Sequence, residues 1–274
     1  MIGIIKQLFS ATGPLALSID GYSPRQPQID MAVAVEDALK SSSQLVVEAG
    51  TGTGKTFAYL APALKSKGKT IISTGSKALQ EQLYHRDLPV LVKALGAAKK
   101  TALLKGRANY LCTYRLTQHV AHVPTDDPDV MHQLAMVAKF ASETHTGDLA
   151  DCFGIEEDAK VLPFVSSTAD NCLGKECPDF QECYIRKARL KAGDADVVVI
   201  NHHLFFADMA VKESGFAELM PDADAYIFDE AHQLSEIASD YFGETMSTKK
   251  LVDLINDLRA IYRAEIPDLS LIHI

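Results

Sequence analysis

The chain is predicted to be an α/β protein built on a parallel, doubly wound sheet with one inserted segment. Three observations carry this reading. The runs "LVVEA", "KTIIST", "TALLKG", "DVVVINH" and "DAYIFDE" are short and apolar, as expected of strands buried on both faces. Helical stretches stand between them, and strands alternating with helices imply parallel pairing. From about 111 to 185 the alternation stops, because His, Asp, Thr and cysteine break any strand periodicity. No internal repeat or low-complexity linker is present.

Residues 24–40 read as a helix after the prolines, with Met31, Val35 and Leu39 on one face. A loop then feeds a short buried strand, Leu45 to Ala49. Glycines and "KTFAYLAPALKSK" give a turn and a helix. A second strand is expected at 69–74, followed by a helix over "SKALQEQLYHRDL", and a third strand at 101–106. After the insertion, 196–202 and 224–230 complete the strands. The tail "STKKLVDLINDLRAIYRAEI" predicts an amphipathic helix with Leu251, Leu254, Ile255, Leu258 and Tyr262 on one stripe. Its partner face is expected to lie outside this chain, and the apolar, uncapped "PDLSLIHI" reads as a truncated end.

Composition narrows the class. A chain of 274 residues with 47% hydrophobic and 23% charged residues suits a soluble globular protein with a real core. No apolar run reaches the roughly 18 residues that a membrane helix needs. The start lacks the basic, apolar, small-residue order of a signal peptide. Five unevenly spaced cysteines argue against a disulfide framework and for a reducing, cytoplasmic setting. A net charge of −9 excludes a generally basic nucleic-acid coat, so any such contact is a local patch.

"EAGTGTGKT" stands where a strand meets a helix. It fits the phosphate-loop pattern G-x-x-x-x-G-K-[ST], with Ala49 in place of the first glycine. Gly50, Gly52 and Gly54 let the backbone turn its N–H groups toward a polyphosphate, and Thr51 and Thr53 lie between them. The next helix points its positive end at the same place. Lys55 is placed to reach the β- and γ-phosphates, and Thr56 to give its hydroxyl to Mg²⁺. In "YIFDEAH", Asp229 and Glu230 end an apolar strand, where open α/β sheets collect ligands. Asp229 suits the carboxylate that holds Mg²⁺, and Glu230 the base that orients water for attack on the γ-phosphate. A lone acidic pair is usually a solvated turn; beside a phosphate loop it becomes specific. His232 is either a link to a neighbouring domain or an ordinary surface histidine.

Together "AGTGTGKT" and "DEAH" resemble motifs I and II of superfamily-two helicases. "STGSKALQEQL" resembles the segment that touches the DNA backbone in that family, with Thr74 as its contact. "YSPRQPQ" resembles the adenine-reading segment, with Arg25 and Gln28 at the matching positions. "KGRANYLC", "NCLGKECPDFQEC" and "DADVVVINHHLF" are similar to the DinG/XPD branch, whose first motor domain carries an inserted iron–sulfur domain. The resemblance covers about residues 20–262. It implies a RecA-like phosphate-loop NTPase fold, ATP-dependent unwinding with 5′ to 3′ movement, and work in DNA repair or replication. The implied partners are single-stranded or forked DNA and replication or repair proteins, with no membrane. The implied division is 1–110 and 186–240 for the motor domain, 111–185 for the iron–sulfur insertion, and 241–274 for a further helical domain. Family members also have a second motor domain whose arginine completes the ATP site, and this chain does not carry it.

The resemblance places Cys112, Cys172, Cys177 and Cys183 on ligand positions for a 4Fe–4S cluster. Fifty-nine residues separate Cys112 from Cys172, and the last three are spaced C-x4-C-x5-C. Structural zinc also takes four thiolates but favours two close pairs, so spacing alone leans to iron–sulfur while leaving zinc open. Cys152 reads as an ordinary small residue. Arg186, Lys187, Arg189 and Lys191 follow the last ligand, and Lys105 and Arg107 precede the first. These are expected to line a phosphate-backbone patch, unless they are a solvated helix face. Tyr110 and Tyr184 are candidates to stack on unpaired bases, with core packing equally plausible for each. Besides a helicase motor, the sequence admits a nucleotide-binding redox sensor and a zinc-stabilised strand-binding module with a silent ATP site. Intact Lys55, Thr56, Asp229 and Glu230 argue against the silent site.

Overall fold

The computed structural model describes residues 3–121, 127–169, 171–213 and 219–243. The tail helix expected near 248–262 lies outside them. Short helices α1 (Ile4–Leu8) and α2 (Pro14–Ser18) precede α3 (Gln26–Ser41) and α4 (Lys55–Lys65). Strand β1 (Thr70–Thr74) leads into α5 (Lys77–Gln82), a π-turn at Leu83–Asp87 and α6 (Leu88–Leu95). After β2 (Thr101–Leu103) come α7 (Thr113–Ala121), α8 (Pro128–Glu143), α9 (Leu162–Val165) and α10 (Tyr184–Asp194). The sheet resumes with β3 (Val197–Asn201), α11 (His202–Glu213) and β4 (Ala225–Phe228), followed by α12 (Leu234–Phe242).

The four strands form one parallel sheet in the order β2-β3-β1-β4. Every residue of β1 and β3 is buried, as their unbroken apolar runs require. On one face Ile72, Val197 and Val199 pack against α1 to α4 and α6. On the other, Ile71, Val198 and Ile200 pack with Ala192 and Leu204. A third apolar cluster, including Leu111, Leu134, Val137, Leu149 and Val165, belongs to the stretch between β2 and β3.

Two strand expectations need correction. Leu45 to Ala49 forms no strand, and Val46 is 97% exposed. A strand needs a neighbour for its backbone groups, and among the described strands β4 ends the sheet on that side. A cleft of about 910 Å³ separates the segment from β4, lined also by Val35 and Leu39 of α3. For the same reason β4 is only half buried, with Tyr226 exposed, rather than covered on both faces.

Lys105 follows β2, and its side chain is 3% exposed. Its ammonium meets Glu81 of α5 and, at 2.5 Å, Asp148 of the stretch between β2 and β3. The two carboxylates raise its pKa against the opposing effect of burial. Its backbone N–H donates to the Tyr110 hydroxyl at 3.1 Å, and burial pushes that phenol up to about 12. A raised lysine pKa stabilises the fold at neutral pH, and this contribution is lost only as pH rises past the usual lysine range. Lys105→Met should therefore destabilise the chain by roughly 2–4 kcal/mol, because it strands two partly buried carboxylates. Denaturant unfolding of the two proteins at neutral pH checks this; an equal midpoint would show that the buried triad contributes nothing.

Candidate nucleotide site

The loop before α4 owes its shape to glycine. Gly52 and Gly54 have φ of 78° and 82°, a region L side chains rarely adopt. A Cβ on Gly54 would also lie 2.0 Å from the Gln28 amide. Gln28 is buried and donates to the Gly54 carbonyl at 2.9 Å, while the Arg25 guanidinium donates to the Gly52 carbonyl. Thr53 Oγ1 donates to the Gly50 carbonyl at 2.8 Å. The segment expected to read adenine thus grips the phosphate loop from behind. Thr51 and Gly50 are exposed, and Ala49 accepts from Lys55 Nζ at 3.4 Å.

Lys55 opens α4, and its Nζ lies 3.5 Å from Glu230 Oε1. Both side chains are about a third exposed. Such a pair is worth only about 0–1 kcal/mol, so a phosphate can displace the carboxylate cheaply. Asp229 continues the β1–β4 ladder, its N–H donating to the Ser73 carbonyl at 2.9 Å. Tyr59, one turn into α4, donates its hydroxyl to Asp229 Oδ2 at 3.0 Å. Burial, then the Asp229 charge, pushes the Tyr59 phenol well above its usual value, which keeps it a donor. Of the two residues expected to hold Mg²⁺, Asp229 is thus held by a phenol on α4, the helix that also carries Thr56. Glu230 has φ 55° and ψ 43°, a left-handed conformation costing on the order of 1 kcal/mol or more for a residue with a side chain. His232 is exposed, 3.4 Å from Glu230 Oε2.

Residues 30–135 match the DEAD/DEAH box helicase family. This helicase-domain match includes Lys55 and Thr56, while Asp229 and Glu230 lie beyond it. The chain is 55% identical to the ATP-dependent DNA helicase YoaA of Haemophilus influenzae, over 97% of this chain and 42% of that protein. It is 54% identical to YoaA of Escherichia coli, over 95% of this chain and 41% of that protein. A more distant relative is the ATP-dependent helicase DinG of Mycobacterium tuberculosis, 39% identical over 81% of this chain and 36% of its own length. The chain thus spans about two fifths of the length of the curated relatives it matches. Among the described residues, no helix is long and apolar enough to cross a membrane.

The residues expected to bind a DNA strand are less open than their charges suggest. Thr74 is fully buried, its hydroxyl turned to the Ser76 carbonyl at 3.2 Å. Lys105 is enclosed by its two carboxylates. Arg107 is half-buried, close enough to Arg189 to lower that guanidinium's pKa, although burial is the larger cause. Lys187 pairs with Glu182 at 2.5 Å, and Arg186 lies 5.1 Å over the Phe180 ring. Lys191 reaches the Tyr84 hydroxyl at 3.2 Å. Tyr110 is buried, and the ring of Tyr184 packs over Gly147 against the third cluster; both go to packing rather than to an open face.

Cys112, Cys172, Cys177 and Cys183 are free and partly exposed, whereas Cys152 is buried in the third cluster. Burial pushes the Cys112 thiol up, and the three other cysteines push it the same way. Among the described residues, no group of three or more His, Cys, Asp or Glu is arranged to hold a metal ion.

Tyr59 and His202 escaped sequence reasoning. The one signal for Tyr59 was its place one turn beyond Thr56. Tyr59→Phe should leave the fold intact and weaken Mg²⁺-dependent ATP binding about three- to tenfold, the worth of one hydrogen bond to a charged group. Titration with a fluorescent ATP analogue, with and without Mg²⁺, measures it; equal affinities would exclude the phenol from the site.

Proposed function

We propose that this chain is the amino-terminal motor half of a cytoplasmic, ATP-dependent DNA helicase that moves 5′ to 3′ on single strands in repair or fork processing. The observation that supports it most is the meeting of Lys55, Thr56, Asp229 and Glu230 around one loop. In this reading the loop N–H groups of residues 50–54 and Lys55 bind the β- and γ-phosphates. Phosphate draws Lys55 from its weak pair with Glu230. Glu230, freed, accepts a hydrogen bond from the attacking water and takes its proton. Thr56 and Asp229 would hold Mg²⁺, which would supply positive charge beside the γ-phosphate. Residues 1–110 and 186–240 form the motor, 111–185 the insertion and 241–274 the start of a further domain.

The insertion is proposed to hold a 4Fe–4S cluster on Cys112, Cys172, Cys177 and Cys183. The donor chemistry suits it: four free, partly exposed thiols, with the fifth buried apart in a core. Bound there, the cluster would tie Cys112, at the start of the insertion, to Cys172, Cys177 and Cys183 at its end. Half-buried Arg107 and the exposed edge of α10 with Arg186 and Lys187 are the remaining candidates for DNA contact.

The chain should bind ATP–Mg²⁺ yet turn it over slowly, because the family's completing arginine lies on a second motor domain. Lys55→Ala should abolish binding, read by the fluorescent analogue. Turnover by the isolated chain as fast as that of a full-length helicase relative would sink this account. Purified without oxygen, the protein should be brown, with about four irons per chain and broad absorption near about 400 nm. Cys183→Ser should lose the iron and weaken single-strand binding while ATP binding survives. A colourless zinc protein, or normal strand binding without iron, would remove the cluster from the DNA path.

A further inference from the structure

We infer that His202 is a positioning residue that fixes the aim of Glu230 by holding the peptide between Asp229 and Glu230. The inference rests on the ATP-hydrolysis reading. His202 stands at the end of β3, yet its ring reaches past β1 to the end of β4, two strands away in the sheet. It is fully buried. Its Nε2 lies 2.9 Å from the main-chain oxygen of Asp229, and its Nδ1 lies 2.7 Å from Ser73 Oγ. A carbonyl oxygen only accepts, so Nε2 carries the proton. Neutral imidazole has one N–H, so Nδ1 accepts from the Ser73 hydroxyl. The Ser73 carbonyl in turn accepts the Asp229 N–H at 2.9 Å. Ser73, His202 and Asp229 therefore close a ring of three hydrogen bonds.

This ring bears on the one strained backbone position of the site. The oxygen that His202 holds belongs to the peptide plane whose far side sets φ of Glu230. That φ is 55°, which a glutamate does not adopt unless its surroundings impose it. A plane held by its oxygen cannot flip to relieve the strain, so the carboxylate stays beside Lys55. A second contact secures the same turn: the Gln233 amide fills the space beside Gly75, where a Cβ would lie 2.4 Å from Gln233 Oε1. A histidine that merely filled a buried gap would satisfy its own polar atoms without engaging this peptide.

Two near-isosteric variants separate the roles. In His202→Gln the amide nitrogen sits near the Nε2 position and can still donate to the Asp229 oxygen. In His202→Asn it sits near the Nδ1 position, beside Ser73 and short of Asp229. Single-turnover hydrolysis, with protein in excess over labelled ATP, reads even a slow rate. The Asn variant should lose about tenfold to a hundredfold in rate, the cost of a misplaced catalytic group, with ATP affinity within about twofold of wild type. The Gln variant should stay within about threefold of wild type. Equal rates in the two variants, or rates that follow their melting temperatures, would overturn the positioning role and leave His202 structural. Nitrogen-15 NMR of the wild-type histidines adds an arm that needs no variant to fold: a proton on Nδ1 instead of Nε2 overturns the inference. A wild-type chain that binds no ATP, or never hydrolyses it, overturns the ATP reading itself, and this role falls with it.

Discussion

The candidate nucleotide site depends on the parallel pairing of β1 with both β3 and β4. The register sets Thr74 opposite Asn201 and Ser73 opposite Phe228, so the three strands end at one level. The Asp229 N–H then extends the ladder by one bond to Ser73. That bond puts the carboxylate over Tyr59 on α4, across 170 residues of sequence. The phosphate loop and the acidic pair are therefore joined through the sheet and not along the chain. A one-residue slip in a parallel ladder turns every side chain to the other face, so Asp229 could not keep Tyr59 and the site would come apart.

That dependence explains what was legible from sequence. The four strands that form are the runs whose apolar residues meet apolar neighbours, and each was marked by a short apolar run ending in a polar residue. The meeting of Lys55 with the Asp229–Glu230 pair was legible because it follows from the helix start and the strand end that they occupy. Leu45 to Ala49 was misread for an instructive reason. Its composition encodes a preference for burial, but a strand is a property of a pair. The partner edge stands across a cleft instead of within bonding distance. Tyr59 and His202 were invisible because an aromatic on a buried helix and a histidine after a strand look like ordinary core. Only the fold shows that both turn a polar atom toward Asp229.

The basic residues teach the complementary lesson. A lysine in sequence reads as a free positive charge, yet Lys105 is enclosed between Glu81 and Asp148. Those partners sit on separate elements, so neither spacing nor periodicity announces them. Lys187 and Lys191 likewise have partners in Glu182 and Tyr84. A surface lysine paired at the rim gives up little when a phosphate replaces its carboxylate. Lys105 makes that exchange less readily, because leaving would strand two partly buried carboxylates. The charges able to meet a nucleic acid are thus fewer than the sequence count, in keeping with a net charge of −9.

The role of Lys105 instead bears on how the two halves of the chain communicate. Glu81 lies on α5, which directly follows β1, while Asp148 lies in the cysteine-bearing stretch. Lys77 on α5 makes a second tie, lying 3.7 Å from Glu157 of the same stretch, and a π-turn follows α5. Both ties therefore end on the same helical run, the one that leaves the strand carrying Ser73. A π-turn adds a residue to the helical turn and displaces the residues after it, and such turns are often retained at functional positions. The cysteine-bearing stretch is consequently tied to α5, beside the candidate nucleotide site, as well as to the end of the edge strand β2 that it follows. Two anchors resist rotation where one would act as a swivel. A displacement of that stretch has to move α5 with it, and α5 cannot move without bearing on the end of β1.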